Sequence, residues 1–256
     1  MVDVTRALDV IRVVDVMRVF PVVALVVAGT VFAMDSAVAQ EVPPLGPPIN
    51  TLTDGEREAG WELLFDGQTT AGWRGYMMDA MPEGWEVIDG ELTRTGPGRD
   101  IITTEQFENF DLTLEWKVNW GGNSGIFYRA AEGPEQIYMG APEMQALDNE
   151  NHADGESALT SAGANYGLHP APRGLARFAG EWNFVRIVVS GDRVEHWMNG
   201  VRIVSYEFGS PDWEARVAAS KFNEWPEYGR ASTGHIGLQD HGDRASFRNI
   251  KIRRLP

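Results

Sequence analysis

From Trp61 to the C-terminus, apolar and polar residues alternate in short runs. Leu112, Leu114, Trp116 and Val118 alternate with Thr113, Glu115 and Lys117, and Val185, Ile187 and Val189 alternate with Arg186 and Val188. A period of two puts successive side chains on opposite faces of an extended chain, so these runs read as strands with one buried face. Asn199-Gly200 separates residues 195–198 from 201–206, and Asp89-Gly90 joins 85–88 to 91–93. Both dipeptides tolerate the left-handed backbone that two-residue hairpins demand. Helical periodicity is almost absent, although residues 53–60 can hold one short helical turn. Short strands punctuated by turns predict an antiparallel all-β sandwich or barrel. Roughly 200 residues of it make one domain, which buries about 70% of its unfolded surface. No internal repeat is visible.

The N-terminal region follows another pattern. Residues 19–34 are an apolar run preceded by Arg18 and followed by Ala37-Val38-Ala39. This is the layout of a secretory signal spanning residues 1–39, with cleavage after Ala39 leaving Gln40 first. Asp3, Asp9 and Asp15 dilute the positive end, so a start at Met17 gives the more compact signal. The run is too short and too promptly polar to predict a stable membrane span once the signal is removed. The expectation is export, to the periplasm or outside the cell. Residues 40–56, with Pro43, Pro44, Pro47 and Pro48, read as an extended linker ahead of a domain at 57–255.

Composition narrows the function classes. Lys and Arg number 22 against 37 Asp and Glu, a formal charge of -15. With Arg scattered rather than clustered, the balance argues against a nucleic-acid partner. The chain has no Cys, which excludes disulfides and thiolate chemistry. Its nine Trp residues suit strands and sugar rings alike.

Candidate chemistry gathers on three strands with polar faces. Glu143 and Gln145 oppose Met144 and Ala146. His235, Gly237, Gln239 and His241 oppose Ile236 and Leu238. Gly125, Phe127 and Arg129 oppose Ser124, Ile126 and Tyr128. If the strands are neighbours, these faces line a groove. Pro142 cannot donate to a sheet ladder, so the Glu143 strand begins there or lies at an edge. The loop after it carries Asp148, His152 and Asp154, and Trp120-Gly-Gly122 offers an aromatic platform at a bend.

An ordered set of motifs resembles the 3-keto-disaccharide hydrolase domain family, formerly a domain of unknown function. They are Trp61-Glu-Leu-Leu-Phe-Asp-Gly67 with Gly72-Trp73, Asn123-Ser-Gly-Ile-Phe-Tyr-Arg129, Glu143-Met-Gln-Ala-Leu-Asp148, Gly180-Glu-Trp-Asn183, His196-Trp-Met-Asn-Gly200, Gly234-His-Ile-Gly-Leu-Gln-Asp-His241 and Phe247-Arg-Asn-Ile250. The resemblance covers nearly all of residues 57–255. It implies a concanavalin A-like jelly-roll sandwich, exported by bacteria, whose substrate partner is a small 3-keto-glycoside. A ketone at C3 acidifies the C2 proton, so the C1 substituent leaves by elimination and water then adds. Such a site needs a base, an acid and a group that steadies an enolate. Among residues in the family motifs, Glu143, His152 and His241 are the acid/base candidates and Arg129 is the expected stabiliser. Gln145, Gln239, His235 and Trp120 are expected to bind substrate, with Asp148 and Asp154 binding it or orienting His152.

Other readings of the same residues stand beside this one. Glu143, Asp148, His152, Asp154 and His241 could instead hold a divalent metal, although their spacing matches no tight motif, so the cofactor is left open. Asp148-Asn149 suits a plain turn. His196 and His169 read as structural, and Asp240 as a residue on the core side or a strand cap. A lectin-like sandwich would need the aromatic and amide groups but no acid/base pair. An ordinary glycosidase needs two carboxylates, and no second one stands out near Glu143.

Overall fold

The computed structural model describes residues 48–256. The expected signal, the Met17 start and residues 40–47 of the proline-rich stretch lie outside the described residues. The strands are β1 (Trp61–Leu63), β2 (Trp73–Gly75), β3 (Trp85–Ile88), β4 (Glu91–Arg94), β5 (Ile101–Thr103), β6 (Phe110–Val118), β7 (Asn123–Ala130), β8 (Glu143–Leu147), β9 (Asn183–Ser190), β10 (Arg193–Met198), β11 (Val201–Glu207), β12 (His235–Leu238) and β13 (Ala245–Arg254). They form two antiparallel sheets. One runs β11-β10-β9-β6-β13-β4-β3, with β1 also on β13, and the other runs β2-β5-β12-β7-β8. This is the expected all-β sandwich, with the non-sequential strand order of a jelly roll.

Alternation decides which face each strand buries. Leu112, Leu114 and Trp116 of β6 meet Ile126 and Tyr128 of β7, Met144 and Ala146 of β8, and Ile236 and Leu238 of β12 in one apolar core. Burying such side chains stabilises the fold by about 1.5–3 kcal/mol each. Both hairpin signals are used: Asp89-Gly90 and Asn199-Gly200 adopt φ of 52° and 79°, and 48° and 87°. The expected helical turn is α1 (Asp54–Glu58), closed by a capping box between Thr53 and Glu56. Docking of the chain onto β13 begins before residue 57: Asn50 and Asn249 each donate the backbone N–H to the other's Oδ1, and Glu56 pairs with Lys251 at 2.7 Å.

The alternation gave no sign of α2 (Pro211–Ala218), because only Trp213 and Val217 of its residues are buried. Trp213 joins a stack of rings with Tyr206 and Tyr228 at centroid separations of 5.1 and 6.0 Å. A 3-10 turn over Lys221–Glu224 follows, capped by Ser220. This short helical segment lies over the open face of the five-stranded sheet and carries Lys221 to it.

Candidate active site

Strands β12, β7 and β8 are neighbours, so the three polar faces do share one surface. Strand β8 begins at Glu143, directly after Pro142, and is the edge strand of its sheet. The chain at 163–166 covers that edge through Tyr166 N–H to the Glu143 carbonyl and Gln145 N–H to the Ala164 carbonyl. On the open face lies a cavity of about 530 Å³. Glu143, Gln145, Gln239 and Asn123 line it together with Asp100, Tyr138, Tyr166, Lys221, Asp240 and His241. Tyr76 and Ala141 also line it, and they belong to an apolar cluster with Ile102, Phe127 and Ile137.

Glu143 is 6% exposed, and no hydrogen bond among the described residues reaches its carboxyl. Burial pushes that carboxyl up to about 8; nearby Lys221 holds it back, while Asp100 and Asp154 add to the rise. At neutral pH the carboxyl is therefore mostly protonated. Its side chain lies flat over Gly125, where an added Cβ would sit 2.6 Å from Glu143 Cδ. Gly125→Ala is expected to lift the carboxyl off its seat and lower kcat/KM by about 10²-fold, because a 1 Å displacement of a reacting group has that effect. A melting curve close to wild type, measured alongside the kinetics, would separate this from unfolding.

Around the carboxyl stand amides with bonding capacity to spare. Gln145 is 1% exposed, and neither its Oε1 nor its Nε2 has a partner among the described residues. The same holds for Gln239 Oε1 and Asn123 Oδ1. Buried polar atoms are normally paired, so this concentration marks a surface built to bind hydroxyl groups. Lys221 Nζ lies 4.6 Å from the centre of the Tyr166 ring and 5.6 Å from that of Tyr138. These rings hold the cation beside the cavity by cation–π attraction.

The histidine loop meets the cavity only at its rim. His152 and His241 rings approach edge-to-face at 6.2 Å, and Asn123 Nδ2 lies 3.5 Å from His241 Nε2. His152 Nδ1 accepts from the backbone of Asp154, whose Oδ2 in turn accepts from Tyr166 Oη at 3.3 Å. His152 is thus oriented by the Asp154 backbone, and no hydrogen bond joins its ring to either carboxylate side chain.

Four expectations are corrected by position. Arg129 does not face the cavity: its φ is 50°, in a bulge where the β7–β12 register slips. The bulge turns Ala130 toward the cavity-side cluster and sends the guanidinium sideways, where it donates to the carbonyls of Glu108 and Gly191. His235 is buried, donating from Nδ1 to the Thr103 carbonyl at 2.6 Å and accepting from Gln106 at Nε2. Asp148 accepts from the backbone of Gly121 and Glu150 and from Asn151, as the plain turn reading has it. Trp120 is 77% exposed on the β6–β7 turn and does not line the cavity.

The structural readings of the remaining groups fare differently. His196 is buried against Tyr128 Oη at 2.8 Å and the Gly163 carbonyl. His169 stacks on Tyr206 at 4.6 Å and so is a packing element. Asp240 caps backbone amides of Gly98 and Gly242, pairs with Arg94 at 2.6 Å, and lines the cavity as well. Among the described residues no three His, Asp or Glu side chains converge as a metal ion requires. With Asp148 committed to its turn, the five residues weighed as ligands do not form one donor set.

Comparison with known proteins agrees with this architecture. The sequence profile of the 3-keto-alpha-glucoside-1,2-lyase-like domain matches residues 60–253. A 3-keto-disaccharide hydrolase of Bacteroides thetaiotaomicron is 38% identical over 228 residues, covering 77% of this chain and 79% of the relative. A crystal structure of a candidate glycosyl hydrolase from Parabacteroides distasonis is 32% identical with a TM-score of 0.77, covering 82% of this chain and 100% of the other. A second from the same organism is 30% identical with a TM-score of 0.61, covering 76% and 99%. From its strand order to its motifs, the chain belongs to the 3-keto-alpha-glucoside-1,2-lyase-like domain family.

Proposed function

We propose that this protein is an exported enzyme that cleaves 3-keto-glycosides by elimination at C1–C2 followed by hydration. The observation that carries the proposal is Glu143: a buried carboxyl, without a hydrogen bond among the described residues, on the floor of a sugar-sized cavity lined by amides. A base takes the C2 proton, and the electron pair passes to the C3 oxygen as an enolate. The enolate collapses to a C1–C2 double bond, the C1–O bond breaks, and the aglycone oxygen takes the proton of Glu143. Water then adds at C1 as a proton returns to C2, which gives net hydrolysis. Lys221 takes the enolate-steadying role first expected of Arg129, because it is the aromatic-held cation at the cavity. Gln145, Gln239 and Asn123 hold ring hydroxyls. A neutral proton donor with no bonding partner supports an enzyme over a lectin, which has no use for one. The leader pattern at residues 17–39 supports export.

The test pairs a 3-keto-glucoside with its unoxidised parent. Release of the aglycone from the keto sugar alone is the expected result. Cleavage of the parent at a comparable rate would point to an ordinary glycosidase, and tight binding of both without turnover to a lectin.

A further inference from the structure

A second carboxyl faces Glu143 across the same sheet. Residues Ile101, Leu238, Ile126 and Met144 form one row across β5, β12, β7 and β8, and all four point into the core. One residue further along, the row therefore faces the opposite side, where Gly125 pairs with Gln145 and Gln239 N–H donates to the Gly125 carbonyl. Asp100 enters that row from the loop before β5, and it lines the cavity beside Gln239 and Gln145. Glu143 itself pairs with Phe127, but its carboxyl reaches this row by lying over Gly125. Two strand spacings of about 4.8 Å separate β5 from β7, a span of about 10 Å that leaves room for one sugar ring between the carboxyls.

We propose that Asp100 is the base that takes the C2 proton, acting opposite the proton donor Glu143. The assignment rests on the 3-keto-glycoside reading and completes its proton transfers. Asp100 Oδ1 is fixed by the backbone N–H of Asp240 at 2.8 Å, and no hydrogen bond among the described residues occupies Oδ2. Burial pushes the Asp100 carboxyl up to about 6, against the pull of that N–H. The charged and titratable groups around it are Asp240 with its partner Arg94, the adjacent Arg99, Tyr76 and the Glu143 carboxyl lying over Gly125. Near neutral pH Asp100 is then ionised while Glu143 keeps its proton, the arrangement an elimination needs. The cycle also closes. Asp100 gains the C2 proton as Glu143 loses its own to the aglycone; in hydration Glu143 takes a proton from water and Asp100 returns one to C2.

Asp100→Asn, Glu143→Gln and His241→Asn in the full chain separate the roles. The probes are 3-keto-glucosides with alkyl and nitrophenyl aglycones. C2–H exchange in D2O is followed by NMR alongside aglycone release. Asn keeps the oxygen that accepts from Asp240, so Asp100→Asn is expected to fold with a wild-type melting curve. It should lose both C2 exchange and cleavage of either aglycone by about 10²–10⁴-fold, together with the limb of the pH–rate profile near 6. Glu143→Gln should keep C2 exchange and release nitrophenol, which leaves without an acid. Wild-type C2 exchange in Asp100→Asn overturns the assignment, as does loss of exchange in His241→Asn alone. If the wild type neither exchanges nor cleaves any 3-keto-glucoside, the functional reading falls, and this assignment with it.

Discussion

Glu143→Gln is expected to slow cleavage of alkyl 3-keto-glucosides by about 10²–10⁴-fold, the usual contribution of a positioned proton donor. The unsaturated keto intermediate should build up when a nitrophenyl substrate is used, because hydration of C1 also needs the Glu143 carboxylate. The same variant changes the dependence of stability on pH. The carboxyl titrates near 4.5 when unfolded and about 8 when folded. Between those values the folded state holds a proton that the unfolded chain has lost. Glu143 therefore makes the wild type less stable as pH rises from about 4.5 to 8, and its effect levels off above that. Holding that proton corresponds to a few kcal/mol, on the order of 1.4 kcal/mol for each tenfold change in proton affinity. Thermal melts from pH 5 to pH 9 should show wild type losing more stability than Glu143→Gln. Parallel melting profiles, with unchanged kinetics, would remove Glu143 from the centre of the site.

Arg129→Leu should give the opposite pattern, with stability lost and chemistry kept. The buried Arg129 guanidinium donates to the carbonyls of Glu108 and Gly191 in part-buried bonds and lies 5.3 Å from the Phe208 ring. Losing part-buried hydrogen bonds from a charged donor destabilises by about 1.5–3 kcal/mol. Denaturant unfolding should record that loss, while kcat/KM of the folded fraction stays within a few-fold of wild type. A drop in kcat with no change in unfolding midpoint would restore Arg129 to the active site and contradict its sideways placement.

The contrast between these two residues shows how far alternation reads. Glu143 and Gln145 could be assigned to the open face of β8 because nothing interrupts the period of two, and Pro142 announces where the strand starts. Arg129 stands in an equally regular-looking run, Gly125-Ile-Phe-Tyr-Arg129. One left-handed residue there shifts the register and hands the cavity side to Ala130. A bulge at a non-glycine residue leaves no mark in composition, so a period of two does not reveal it. His235 went astray for a different reason. Its face was assigned correctly, but the β5 end and the loop before β6 close over it and use both ring nitrogens.

Lys221, Tyr138, Tyr166 and Asp100 carried no strand signal at all. They come from the loop before β8, the chain that covers the β8 edge, the turn after α2 and the loop before β5. Each reaches the cavity because two sheets and a short helix pack in one way. A Lys over aromatic rings can be recognised only after residues 138, 166 and 221 have been brought together.

By itself, the sequence determined the all-β class, the two hairpins, the helical turn at 54–58, and the polar side of β8 and β12. These depend on local backbone preference and on a period of two, both written along the chain. The tertiary structure decided which of those polar faces is a site. It buried Glu143 over Gly125 and left Gln145 without partners among the described residues, it turned Asp148 and His235 to structural use, and it set Asp100 across the row from β8. Desolvation and register are properties of neighbours distant in sequence, and no local pattern encodes them.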